Sequence, residues 1–257
     1  MADRQREDRR IQVLSRAIAV IRSLDGRPAG LTLAEVAEAT GLPRSTTHRL
    51  VTALEADGFL TTNARSGRVH LGAALLSLAS RGQRDAQAEL RPIMLELHDA
   101  IDETVDLSVL DGDHLRCVDQ IPAPHRLRAV STVGATFPLH CTANGKAALA
   151  RLDDAVIART LPGWLAGYTT ATIARRADLL SELETIRETG VAFDHEEYTD
   201  GISAVGVAMT DPRGSIFAFS VPVPTLRFAE KEPLLTRALV HAATAAEAAL
   251  HDMGSAQ

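Results

Sequence analysis

The chain has only two cysteines, Cys117 and Cys141, among 257 residues. That is too few for a disulfide framework, and reduced thiols in a cytoplasmic protein are the expectation. No apolar run reaches the ~20 residues that a membrane span needs. The opening MADRQREDRR is charged and lacks the apolar stretch of a secretory signal. There is no internal repeat and no low-complexity segment. The metal candidates His140, His195 and Glu196 include no pair at helical i, i+4 spacing, and the histidines lie far apart, so neither metal nor cofactor is expected. A surplus of positive charge is missing as well: the net charge is −6. Its distribution matters more than its sum. Residues 1–72 hold 11 Lys and Arg against 8 Asp and Glu, net +3, whereas the rest holds 16 against 25, net −9. A mildly basic head on an acidic body fits nucleic-acid contact by the head alone. So small a surplus implies that heads act in pairs, because phosphate neutralisation dominates affinity.

What is present is concentrated in TLAEVAEATGLPRSTTHRLV, residues 32–51. Thr32 and Glu35 have the spacing of a capping box, so a helix begins there. Leu33, Val36 and Ala37 give it one apolar face. Gly41 stands where a helix end favours positive φ, and Pro43 suits the first turn of the next helix. That second helix buries Leu50, Val51 and Leu54 and turns Arg44, Ser45, Thr46, Thr47 and Arg49 outward, a face the DNA major groove accepts. Two short strands, 58–62 and 68–71, flank the turn Asn63-Ala64-Arg65-Ser66-Gly67 and form a wing. Val13, Leu14, Ala17, Ile18, Ile21 and Leu24 supply the first helix of a three-helix core. The alternative is a small helical bundle with surface arginines. The order and spacing of cap, turn, Pro and wing favour a winged helix-turn-helix over residues 1–72. Its DNA-contacting candidates are Thr32, Arg44, Ser45, Thr46, Thr47, Arg49, Arg65 and Arg68.

Residues 73–85, with Leu75, Leu76 and Leu78, read as a linker helix. The remainder, 86–257, reads as an α+β domain, an antiparallel sheet with helices on its faces. A helix at 87–101 precedes strands at 104–110 and 115–121, joined at Asp111-Gly112-Asp113. A further strand is expected over Leu127–Val133, helices near 142–150 and 175–189, strands at 202–209 and 215–221, and a last helix over 230–252.

Three segments of this body suggest a site. Residues 137–146, FPLHCTANGK, form a turn into a helix whose free N–H groups suit an anion. Residues 190–198, GVAFDHEEY, read as an acidic turn, and Phe219-Ser220-Val221-Pro222 offers a hydroxyl in an apolar setting. From VLSRAIAVIRSL through GLPRSTTHRLVTALEADGF and PLHCTANGKAALA to GVAFDHEEYTDGISAVGVAMTD, the chain resembles the IclR-type bacterial transcriptional regulators over its whole length. The resemblance implies a winged helix-turn-helix, a linker helix and a GAF- or PAS-like effector-binding domain, assembled as a homodimer or dimer of dimers. It implies operator control, as by a repressor, through a small organic acid. The acid's carboxylate would lie against the backbone of Ala143 and Asn144, with polar contacts from Asp194 and Ser220. Phe137, Ile202 and Ala129 would form an apolar wall. Ala204 and Pro222 stand where many relatives have Cys and a second Ser. The pocket is thereby more apolar, which favours an aromatic carboxylate over pyruvate or glyoxylate. Arg126 and Arg128 either pair with the acid or lie on the surface.

Two further readings stay open. A redox-responsive regulator would use Cys141. A small-molecule enzyme would need a base and nucleophile, for which Cys141 beside His140 is a poor pair, since adjacent strand residues point to opposite faces. The leading expectation is a non-enzymatic regulator that binds a palindromic double-stranded operator.

Overall fold

In a computed structural model, the chain forms two compact units, Met1–Arg84 and Asp85–Gln257. The structure describes the backbone of residues 2–255; the side chains of 2–11, 76, 79–84 and 254–255, including those of the charged opening run and Leu76, lie outside the described residues.

The first unit runs α1 (Ala2–Arg22), β1 (Leu31–Thr32), α2 (Leu33–Thr40), α3 (Arg44–Ala56), β2 (Leu60–Thr62) and β3 (Arg68–Leu71). Val20, Leu24, Leu31, Val36, Val51, Leu60 and Val69 form its core, with Ile21, Leu33, Leu50 and Leu54 packed against it. The capping box is present. The Thr32 hydroxyl accepts from the Glu35 N–H at 3.3 Å, and the Glu35 carboxylate accepts from the Thr32 N–H at 2.7 Å. Gly41 ends α2 at φ +65°, a conformation costly for any residue with a Cβ. Pro43 occupies the N-cap position of α3, one residue before the expected first turn, and makes no side-chain cap hydrogen bond. Strand β1 was not expected. Its two residues pair with Val69 and Arg68, so the wing is a three-stranded sheet in the order β1-β3-β2. A two-residue strand is too short to show a period.

The stripe on α1 departs from expectation. Val13, Leu14 and Ile18 are 52%, 64% and 50% exposed, while Val20 and Leu24 are buried. Only the end of the helix reaches the core that α2 and α3 build. Thr47 also departs. It is fully buried and donates to the Pro43 carbonyl at 3.2 Å, because its position on α3 falls on the same side as Val51.

The expected linker helix and body helix are one element, α4 (Ala73–Ile101), which runs through Pro92. The second unit continues β4 (Val105–Asp111), β5 (His114–Ile121), β6 (Thr136–Pro138), α5 (Ala143–Ala150), α6 (Asp154–Thr160), α7 (Arg176–Thr189), β7 (Ala192–His195), β8 (Ile202–Thr210), β9 (Ile216–Pro224) and α8 (Thr225–Ser255). The strands form one antiparallel sheet in the order β6-β5-β4-β9-β8-β7. One face packs Leu107, Val205, Val207, Phe217, Phe219 and Val221 against Leu90, Met94 and Leu97 of α4 and Leu235 and Leu239 of α8. On the other, Leu115, Ala192, Ala208 and Ala218 meet α5, α6 and α7. Burial on both faces explains why β8 and β9 read as continuous apolar runs rather than alternating ones.

Leu127–Val133 is not a strand. Between Pro122 and the start of β6 the chain is irregular, and the Thr104 side chain, just before β4, bonds its backbone instead. The Thr104 hydroxyl accepts from the Ala123 N–H and donates to the Ala129 carbonyl. Leu127, Val130 and Val133 are more than half exposed. The acidic turn at 190–198 contains strand β7, which places Asp194 on the sheet edge with its side chain buried. Helix α6 was not expected.

Candidate functional site

The first unit offers one polar helical face. Arg44, Ser45 and Arg49 on α3 are exposed, and Thr46 is half-buried. His48 and Thr52 are exposed as well and share the stripe of Ser45 and Arg49 by i, i+3, i+4 and i+7 spacing. Helical spacing alone would have found them. Arg65 is exposed at the wing turn, where the Asn63 carboxamide oxygen accepts from the N–H groups of Arg65 and Ser66 at 2.9 and 3.1 Å. Arg68 and Thr32 stand apart from that face. The Arg68 guanidinium donates to the Gly30 carbonyl at 2.8 Å and to Glu35 at 3.3 Å, and Thr32 is engaged in the cap. Hydrogen bonds from Thr32 hold the Glu35 carboxyl below the usual range, with Arg68 adding to the effect. Thr47 is interior and presents nothing outward.

The second unit contains a cavity of about 320 Å³, within the range of small-molecule sites. It lies between the sheet face that packs on α5, the start of α5 and the irregular segment after β5. Ala129, Phe137, Ala143, Asn144, Asp194, Ile202, Ala204, Ser220 and Pro222 all line it. Sheet register explains the grouping: Asp194 pairs with Ala204 and Ala204 with Pro222, while Asp106 pairs with Ser220 and Ser220 with Gly206. Alternation aims both rows at the same face.

At Gly206 the start of α5 sits directly on the sheet. A Cβ there would lie 2.6 Å from the Ala143 carbonyl carbon and 2.7 Å from the Asn144 nitrogen. Thr142 caps α5, accepting from the Gly145 N–H at 3.1 Å and donating to the Pro138 carbonyl at 2.8 Å. Helix geometry leaves the first N–H groups, at Ala143 and Asn144, without intrahelical acceptors. The Asn144 side-chain carboxamide Nδ2 donates to the Ser108 hydroxyl at 3.2 Å, which fixes this end of the cavity.

The cavity also holds residues that sequence reasoning missed. Asp106 is 2% exposed and accepts from Gln120 and from the Ser131 hydroxyl, both at 2.6 Å. Burial pushes its carboxyl up to about 6. Ser131, Thr132, Ala135, Thr142, Tyr198 and Thr199 complete much of the lining. A lone Asp in an apolar strand was the available signal for Asp106. Arg126 and Arg128 are exposed and outside the lining; Arg128 donates to the His125 carbonyl.

Asp194 accepts from the Glu197 N–H at 2.7 Å. Burial, then the neighbouring Glu197 charge, push its carboxyl up to about 7 against the backbone donors and Lys146. Behind it Lys146, fully buried, is held by Glu197 at 2.5 Å and Glu182 at 2.6 Å. Glu197 is raised chiefly by burial, and its Oε2 has no hydrogen-bond partner. Cys141 is fully buried, its thiol pushed up to about 12 by burial and the nearby carboxylates. His140 contacts the Ala166 carbonyl at 2.8 Å. Among the described residues no cluster of three His, Cys, Asp or Glu could hold a metal ion, and no helix is long and apolar enough to cross a membrane.

Comparison with known proteins identifies the chain. Residues 13–64 match the IclR helix-turn-helix domain, and residues 80–248 match the family model for the bacterial transcriptional regulator IclR C-terminal region. The HTH-type transcriptional regulator Rv1719 of Mycobacterium tuberculosis is 46% identical over 230 residues, 90% of this chain and 89% of that protein. The transcriptional repressor IclR of Escherichia coli is 30% identical over 226 residues, 86% of this chain and 82% of that protein. An IclR homologue of Microbacterium hydrocarbonoxydans solved with 4-hydroxybenzoate shares the fold, at a TM-score of 0.60 and 21% identity over 93% of this chain and 98% of that one. These relatives are transcriptional regulators rather than enzymes, and this chain, with a helix-turn-helix at one end and an α+β domain at the other, belongs to the IclR family of DNA-binding transcriptional regulators.

Proposed function

We propose that the chain is a cytoplasmic repressor that binds a palindromic operator as a homodimer or dimer of dimers and responds to a small aromatic carboxylate. Residues 1–72 contact DNA, 73–85 link, and 86–257 receive the effector. The observation that carries the effector reading is the cavity's two-sided chemistry. The N–H groups that open α5 at Ala143 and Asn144 take the carboxylate, where the helix dipole adds to the hydrogen bonds. Phe137, Ala129, Ile202, Ala204 and Pro222 face the apolar remainder, with Ser220 and Asp194 as polar contacts. The 4-hydroxybenzoate bound to the structural neighbour and the repressor named among the relatives point the same way. The effector acts by preferring one of two arrangements of the paired heads. Arg44, Ser45, Thr46, Arg49 and Arg65 supply the operator contacts, with His48 and Thr52 on the same stripe.

The buried, high-pKa thiol of Cys141 gives a redox reading no support, because the thiolate is the reactive form. A thermal-shift screen of organic acids tests the proposal. Benzoates raise the melting temperature and short 2-oxo acids do not; the reverse order sinks the aromatic assignment.

A further inference from the structure

Resting on the reading that this cavity takes an organic acid, we infer that the acid enters together with one proton, which Asp194 holds. The cavity has an imbalance that an anion alone would worsen. Its lining contains two carboxylates, Asp106 and Asp194, and no lysine or arginine. The nearest buried cation, Lys146, is shared between Glu197 and Glu182. That end of the site therefore holds three carboxylates, those of Asp194, Glu197 and Glu182, against one ammonium. Oε2 of Glu197 has no hydrogen-bond partner, so Lys146 leaves part of this carboxylate charge unanswered. A ligand carboxylate at the start of α5 adds a further negative charge beside the buried Asp106 and Asp194, and like charges disfavour each other's ionised forms.

Beyond the N–H groups at the start of α5, the described residues around Asp194 supply no further cation to balance that charge. Glu197 and Tyr198 follow it in the chain, Lys146 comes from α5 with Glu182 of α7 behind it, and Cys141 precedes α5. Asp106 faces the same cavity from β4, and β8 and β9 present only Ile202, Ala204, Ser220 and Pro222. His195 is next to Asp194 on β7, but it points the other way, against Phe193 and Phe228. Asp106 differs from Asp194. Its two oxygens take side-chain donors from Gln120 and Ser131, which favour its anion and leave it titrating lower, at about 6. Asp194 is the group left to neutralise, and burial has already brought its titration to about 7. Once protonated, it becomes a donor to the ligand.

The experiment is calorimetric titration of the full chain with benzoate and with 4-hydroxybenzoate from pH 6 to 8.5. The expected affinity is flat below about pH 7 and falls about tenfold per pH unit above it, as one linked proton requires. Heats measured at pH 8 in phosphate and in Tris differ by one proton taken up per ligand. Asp194→Asn, which keeps the acceptor for the Glu197 N–H, abolishes the slope and the buffer dependence. Asp106→Asn retains both. A wild-type affinity that is flat to pH 8.5 with no proton uptake overturns the inference and leaves the acid-binding reading standing. A slope removed by Asp106→Asn rather than Asp194→Asn overturns the assignment. Failure of both acids to bind at any pH overturns the effector reading itself.

Discussion

Gly206→Ala probes the contact on which the proposed effector site depends. The added methyl would meet three backbone atoms of the α5 start at 2.6–2.7 Å. Ordinary carbon contacts are about 3.5–4.0 Å, so the helix start must retreat by about 1 Å or the sheet must bow. Backbone cannot rotate away as a side chain can. Overpacking of this kind costs about 1–3 kcal/mol, partly offset by the ~0.5–1 kcal/mol by which Ala is preferred to Gly within a strand. The net loss of about 1–2 kcal/mol lowers the melting temperature by about 2–8 °C for a unit of this size. The ligand feels the displacement more sharply. A hydrogen bond near 2.9 Å that lengthens by about 1 Å is no longer one, and a bond to a charged group contributes about 1.5–3 kcal/mol. Benzoate should therefore bind at least tenfold more weakly, measured by calorimetry, while the same preparation still shifts operator DNA. Wild-type melting together with wild-type benzoate affinity in Gly206→Ala would refute the reasoning, because the helix start could not then rest on the sheet at Gly206.

Four other outcomes are expected. Lys146→Met strands Glu197 and Glu182 without their shared cation, and denaturant unfolding should show a loss of about 3–5 kcal/mol; a loss under about 1 kcal/mol would mean that the pairs contribute little. Arg49→Ala weakens operator binding in a gel-shift assay, whereas Thr47→Val, interior and lacking only one hydrogen bond to Pro43, costs about 1 kcal/mol of stability and leaves operator affinity alone. Equal operator binding by Arg49→Ala and wild type would remove the assigned face. Asp194→Asn changes stability with a definite pH sign. The folded carboxyl titrates near 7 and an unfolded one near ~3.9, so the native protein loses stability as pH rises between those values. The variant should gain on the order of 2–4 kcal/mol at pH 8 and none at pH 4; a gain at the acid end would reverse the argument. Finally, Cys141 should resist a thiol reagent in the native protein and react on unfolding, and peroxide should leave operator binding unchanged.

Much of the first unit was legible because its signals are local. The Thr32–Glu35 cap, Gly41 and Pro43 depend on residues a few positions apart, and the structure shows each of them near its expected place. The start of α5 after Thr142 and the Asp111–His114 hairpin were legible for the same reason. The cavity residues were named from family motifs rather than from spacing, and periodicity alone would not have grouped Ala129 with Asp194. Asp106 escaped notice because its significance comes from Ser131, 25 residues away, and from Gln120 on the next strand. The false strand over Leu127–Val133 arose from apolar residues that have no sheet neighbour to pair with.

The sequence by itself determined where α2 starts and stops and where α3 and α5 begin, since these follow from backbone preferences and short-range capping. Only the tertiary structure decided which apolar sides are covered. It buried Thr47 and left Val13, Leu14 and Ile18 exposed. It set Lys146 between two glutamates from different elements and brought two carboxylates, Asp106 and Asp194, into one cavity. Burial and charge balance are properties of long-range register, and a one-residue slip in any strand would turn those side chains to the other face.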